Sequence, residues 1–164
     1  QEHSGKKIQY FDPELGKSYI PYVVETSIGL DRMFLSVLSH AFCQEKLENG
    51  ESRSVLKIPA FLAPIKAAIL PLTKKDGMPE KARAIMKSLL INFNCQYEEK
   101  DSIGKRYRRQ DAIGTPFCIT IDHQTLEDDT ITIRDRDTMQ QKRISIAKIH
   151  SIVSEKTDIA NFLN

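Results

Sequence analysis

The stretch "SIGKRYRRQDAIGTPFCITID", residues 102–122, changes from one element type to another within a few residues. Ser102 can cap a helix N-terminus, and Gly114 ends that helix because glycine enters left-handed backbone without a Cβ penalty. "PFCITID" then reads as a strand. A helix handing over to an apolar strand is the repeating piece of an α/β sheet.

Working outward, the same alternation recurs. "IKAAILPL" is a buried strand, and "PEKARAIMKSLLINF" is a helix with Pro79 in its first turn and Ala82, Ile85, Met86, Leu89, Leu90 and Phe93 on one face. "CQYEE" is a short strand. Downstream, "TITIRDRD" and "KRISI" form a hairpin through "TMQQ", and "AKIHSIVSE" has helical periodicity at Ile146, Ile149, Ile152 and Val153. Crossover helices first and antiparallel strands later predict an α/β domain, a mixed and mainly five-stranded sheet flanked by helices on both faces, over residues 59–164.

Residues 1–58 have another character. "KIQYFD" and "SYIPYVVETSIG" read as two strands joined by "PELGK". A helix follows, with Leu30, Met33, Phe34, Val37, Leu38, Ala41 and Phe42 on one face. A hairpin and one helix cannot enclose a core, so this region reads as the tail of a larger, truncated domain. "CQEKLENGESRS" is polar, contains Asn-Gly and reads as a surface connection with residual helix at its start.

Composition narrows the function classes. The chain has 164 residues, 40% hydrophobic and 28% charged, which suits a folded globular protein. "IPAFLAPIKAAILPL" is broken by three prolines and Lys66 and is too short to span a bilayer, so no membrane partner is expected. The N-terminus lacks an apolar signal-type segment, which makes a cytoplasmic location the default. Cys43, Cys95 and Cys118 are scattered and odd in number, and the four histidines form no pair at ligand spacing, so neither disulfides nor a metal site is expected.

Net charge is only +2. Lys105, Arg106, Arg108 and Arg109 nevertheless cluster around Tyr107, which suits either a phosphate backbone with a stacked base or a solvated basic helix face.

The junction "VVETSIGLDRMFLSVLSHAF", residues 23–42, carries charge where a sheet-to-helix turn needs none. Strand alternation would put Glu25, Ser27 and Gly29 on one face, an arrangement for a small cationic ligand: a carboxylate for an ammonium, a hydroxyl, and space beside the backbone. Arg32 would sit in the first helical turn, near an N-terminus that favours anions. A Glu25–Arg32 ion pair across the junction is the plainer alternative.

These residues resemble motif 3 of class II aminoacyl-tRNA synthetases, in the "E-x-S-x-G-x-[DE]-R" form of homodimeric glycyl-tRNA synthetases. "KIQYFDPELGKSYIPYVVE" matches the preceding hairpin, and "LAPIKAAILPL", "KKDGMPEKAR", "SIGKRYRRQDAIGTPFCITID" and "TLEDDTITIRDRDTMQQKRI" carry further family marks. Thr26 stands where the family often has proline.

The resemblance implies that residues 1–58 are the end of a class II catalytic domain and 59–164 an anticodon-binding domain. It implies that Arg32 and Gly29 border ATP, with Arg32 the catalytic contact, and that Glu25 and Ser27 recognise glycine. Arg134, Asp135 and Arg136, with Arg108 and Arg109, would meet the tRNA anticodon; glycine anticodons end in two cytosines, whose edges need both donors and acceptors. The implied partners are glycine, ATP, tRNA(Gly) and a second copy in a homodimer. ATP would be a substrate used with Mg2+, nothing would be tightly bound here, and motifs 1 and 2 have no counterpart, so these residues alone would not catalyse.

Two other readings compete. A non-catalytic relative such as the accessory subunit of mitochondrial DNA polymerase would bind nucleic acid only, with no need for Glu25, Ser27 and Arg32 together. An unrelated small-ligand α/β protein would not be expected to combine this junction with the basic helix and charged hairpin.

Overall fold

The computed structural model describes residues 2–47 and 50–163, and the chain divides into two compact units, Gln1–Met33 and Phe34–Asn164. The first holds a small hairpin of β1 (Tyr10–Asp12) and β2 (Lys17–Tyr19), paired antiparallel with Tyr10 opposite Tyr19. Asp12 Oδ1 accepts from the amides of Glu14 (2.9 Å) and Leu15 (3.1 Å), so the carboxylate builds the turn.

The strand expected over residues 18–29 stops at Tyr19, and residues 20–29 are exposed irregular chain. Pro21 has no amide to donate, and among the described residues no strand pairs with this segment. The alternation that would align Glu25, Ser27 and Gly29 is therefore absent from this backbone.

Helix α1 (Leu30–Ala41) crosses the division between the units. Its last turns pack Val37 and Ala41 against Leu56, Ile58 and Ala63, whereas Leu30, Met33 and Phe34 of the same apolar stripe are exposed.

The polar stretch after α1 is not a loop. It forms an antiparallel hairpin of β3 (Phe42–Lys46) and β4 (Ser52–Leu56), with Glu45 opposite Arg53. Asn49 of the Asn-Gly pair lies outside the described residues. The hairpin was hidden because only Arg53 and Val55 of β4 turn fully inward, and a buried arginine reads as surface in sequence.

The main sheet contains β5 (Ala67–Pro71), β6 (Cys95–Tyr97), β7 (Phe117–Ile121), β8 (Thr130–Asp135) and β9 (Gln141–Ser145) in the order β6-β5-β7-β8-β9. Pairs β5–β6 and β5–β7 are parallel, and β7–β8 and β8–β9 are antiparallel. The connecting helices are α2 (Met78–Leu89), α3 (Ile103–Ile113), the short α4 (His123–Asp128), α5 (Ile149–Thr157) and α6 (Ala160–Leu163). The expected mixed five-stranded sheet is the one observed.

Each face has its own core. On one, Ala67, Ile69, Ile119, Ile131 and Ile133 pack against Ala82, Ile85 and Leu89 of α2 and Ile149 and Val153 of α5. On the other, Ala68, Leu70 and Cys118 meet Ile103 and Tyr107 of α3. This is the period of two expected of a sheet covered on both sides. Leu90, expected on the buried face of α2, is the helix C-cap and is exposed.

Helix α3 starts after Ser102, which has the extended cap backbone but makes no side-chain cap bond, and ends at left-handed Gly114 (φ 83°). A Cβ on Gly114 would lie 2.9 Å from Ile58 Cγ2 and 3.1 Å from the Leu56 carbonyl. Glycine is thus required twice, for its backbone and for the close approach of residues 56–58.

Candidate nucleic-acid interface

Helix α3 is fixed to the sheet by its own basic residues. Arg106, buried, donates from Nη1 to the carbonyls of Pro71 (2.7 Å) and Glu98 (3.1 Å), tying the helix to the ends of β5 and β6. Its charge is occupied internally. Arg108 pairs with Glu51 and the Ser52 carbonyl, and Arg109 with Glu98, Asp101 and the Lys100 carbonyl. Both remain partly exposed but lean to different flanks of the helix, so the basic cluster of the sequence does not converge on one surface.

At the C-terminal end of α3, Asp111 is 0% exposed. Arg134 of β8 grips it bidentately, Nη1 to Oδ1 at 2.7 Å and Nη2 to Oδ2 at 3.0 Å. Arg53 of β4 shares Oδ2 at 2.9 Å and also donates to the Arg136 carbonyl at 3.1 Å. The other side of the Arg53 guanidinium meets Glu45, which also pairs with Lys57. Arg134 lies over the Tyr107 ring, 4.8 Å from its centroid, and the Tyr107 hydroxyl bonds Thr120 at 2.7 Å. Burial raises the Tyr107 pKa, so the phenol stays protonated and able to share that bond.

Arg134 is 5% exposed and Arg136 3%. Strand alternation does send both toward one face, but α3 and its C-terminal turn cover that face: Arg136 Nη1 donates to the Gly114 carbonyl at 2.8 Å and its remaining nitrogens to Asp137. Asp135 faces the other way. Its Oδ1 accepts from the amides of Asp137 and Thr138 and from the Thr138 hydroxyl, which closes the β8–β9 turn.

Beside this buried cluster the α3 face of the sheet runs on with Thr130, Thr132 and Arg143 half-buried and Gln141 exposed. Thr132 opposite Arg143, and Arg134 opposite Gln141, continue the surface across β8 and β9 beyond the edge of α3. Arg143 forks onto Asp122, at 2.5 Å and 2.8 Å, and bonds the Thr130 hydroxyl. The Arg143 bonds, with those from Thr125, hold the Asp122 carboxyl down at about 2. Because its folded pKa is depressed, the stability Asp122 adds is present above the ordinary carboxylate range and is lost as pH falls toward about 2. Neither Asp122 nor Arg53 is a site candidate from sequence; the Asp122-x-x-Thr125 capping box is the legible signal for Asp122.

In the first unit, Ser27, Gly29, Leu30, Asp31 and Arg32 line an open hollow of about 520 Å3 at the start of α1, where the Gly29 carbonyl accepts from the Met33 amide at 3.0 Å. Ser27, Gly29 and Arg32 are brought together; Glu25 is not among the lining residues. Among the described residues no cluster of three or more His, Cys, Asp or Glu side chains could hold a metal ion, and no helix is long and apolar enough to cross a membrane. Burial pushes the Cys118 thiol up to about 12 and Cys95 to about 11, so both are packing groups at neutral pH.

A mixed sheet with α3 packed on one face and α2 and α5 on the other matches a known family: the model for the anticodon binding domain covers residues 66–156, and the chain belongs to that family. Beyond that domain, the likeness extends to glycine–tRNA ligases. The ligase of Clostridium tetani is 52% identical over 156 residues, 95% of this chain and 33% of the relative, and that of Chlorobaculum tepidum is 53% identical over the same span and shares. The chain therefore covers about a third of the length of these relatives. The likeness to glycyl-tRNA synthetases expected from the motifs holds over nearly the whole chain. Among solved structures, the RNA binding domain of threonyl-tRNA synthetase from Cryptosporidium parvum shares the fold, with a TM-score of 0.56 at 21% identity over 61% of this chain and 25% of that one.

Proposed function

We propose that the chain works within a glycine–tRNA ligase, its α/β unit reading the anticodon of tRNA(Gly) and its first unit bordering the site where glycine and ATP react. The observation that carries this reading is the match of residues 66–156 to the anticodon binding domain, within which the half-buried and exposed residues Thr132, Arg143 and Gln141 border the stacked Arg134–Tyr107 pair. Unpaired bases are read by their edges and by stacking, and this face offers both. Arg134, once it lets go of Asp111, supplies donors for a cytosine carbonyl and uncovers the Tyr107 ring for stacking. Arg108 and Arg109, partly exposed, steady the phosphate backbone, while Asp135 and Arg136 shape the turn that frames the face.

In the ligation, a glycine carboxylate oxygen attacks the α-phosphorus of ATP and pyrophosphate leaves; a ribose hydroxyl of tRNA then attacks the glycyl carbonyl and AMP leaves. Arg32 contributes charge at the ATP and Ser27 and Glu25 hold glycine, with motifs 1 and 2 supplied by other residues of the ligase. Among the described residues no group of three or more His, Cys, Asp or Glu side chains fits Mg2+.

In the ligase, Arg134→Ala is expected to weaken tRNA(Gly) binding about tenfold or more while leaving glycyl-adenylate formation nearly unchanged. Titration of tRNA alongside pyrophosphate exchange separates the two. Equal loss in both assays would remove the anticodon role.

A further inference from the structure

Asp111 is fully buried, yet it serves two guanidiniums that arrive from different parts of the chain. Arg134 uses both of its terminal nitrogens on this carboxylate, so it can present neither to a base edge without letting go. A carboxylate abandoned by its only partner in the protein interior is strongly unfavourable. Here a second partner is already in place: Arg53, 2% exposed, donates from Nη1 to Oδ2 and to the Arg136 carbonyl, and is held from behind by Glu45.

We propose that Arg53 is a positioning residue for tRNA recognition, the counter-ion that keeps Asp111 paired when Arg134 swings from Asp111 to an anticodon base. The inference rests on the reading that Arg134 meets the anticodon. It assigns a recognition role to the β3–β4 hairpin, which lies outside residues 66–156 of the family match. There are two arrangements. Without RNA, Asp111 is shared between Arg134 and Arg53. With RNA, Arg134 turns its Nη groups to the base, and Arg53 alone neutralises Asp111. The shared Oδ2 makes the exchange feasible, because Arg53 neither has to travel nor to lose a bond as Arg134 departs.

Arg53→Met removes the second partner and leaves the ion pair of the free state one to one. Fluorescence anisotropy on this chain, with an RNA hairpin carrying the anticodon arm of tRNA(Gly), is expected to report an affinity about tenfold or more weaker for that variant. Arg53→Lys keeps the charge and should recover most of the loss. The decisive variant is Arg53→Met with Asp111→Asn, in which no carboxylate remains to be stranded: binding should return to within about threefold of the unaltered chain. Near-UV circular dichroism establishes that each variant is folded at the titration temperature. Wild-type affinity in Arg53→Met would overturn the proposal. So would a double variant as weak as or weaker than Arg53→Met, since a hairpin that merely holds the fold would lose affinity additively. Arg134→Met binding as tightly as the unaltered chain would instead defeat the underlying anticodon reading, a result separable from either of the others.

Discussion

Asp111→Ala is expected to lower the unfolding free energy by about 3–5 kcal/mol, the cost of leaving buried charge without its partner. The substitution leaves the Arg134 guanidinium beside the Tyr107 ring and Cys118 without its carboxylate, and takes from Arg53 one of its two buried acceptors. Little water can reach either guanidinium to compensate, since both are nearly fully buried. Urea denaturation measures the loss, and Arg108→Ala is the matched control, because it breaks a surface pair worth at most about 1 kcal/mol. An Asp111→Ala midpoint that moved no further than the Arg108→Ala midpoint would contradict the buried-hub account.

Arg32→Ala, made in the ligase, is expected to reduce ATP-dependent pyrophosphate exchange by about a hundred- to a thousandfold, the usual cost of removing one group that stabilises charge in the transition state. The residue stands in the first turn of α1 beside Ser27 and Gly29, and the substitution leaves that hollow's backbone intact. Glycine or ATP binding alone is the weaker readout, because the role assigned to Arg32 is realised as charge shifts onto the leaving pyrophosphate. Normal exchange in Arg32→Ala would defeat the ATP assignment.

The main sheet was legible from two signals, short continuous apolar runs for its central strands and helical spacing for α2. Ala67–Pro71 and Phe117–Ile121 are buried along their whole length, as continuous apolar runs should be, and α2 presents Ala82, Ile85 and Leu89 at helical spacing. Short elements lacked such a signal. Helix α4 spans His123–Asp128, less than two turns, and is fixed by its capping box rather than by an apolar stripe. Strand β4 was obscured by Arg53, whose burial depends on a carboxylate 58 residues away.

The site was legible in part. Alternation in "TITIRDRD" separates Arg134 and Arg136 from Asp135, but it cannot say which face α3 covers. That depends on the pairing of Arg134 with Asp111, 23 residues earlier, and on the path of α3 between β6 and β7. The junction at residues 20–29 was over-read as a strand because its apolar residues suit one, whereas a strand needs a hydrogen-bonding neighbour.

The sheet face beside Arg134 is proposed to read cytosines of an unpaired anticodon. The most direct test is the affinity of this chain for the anticodon-arm hairpin of tRNA(Gly), compared with the same hairpin carrying guanines in place of the last two anticodon cytosines. The substituted hairpin is expected to bind about tenfold or more weakly at the same salt concentration. Equal affinity for the two hairpins would mean that the face holds only the RNA backbone, and would contradict that proposal.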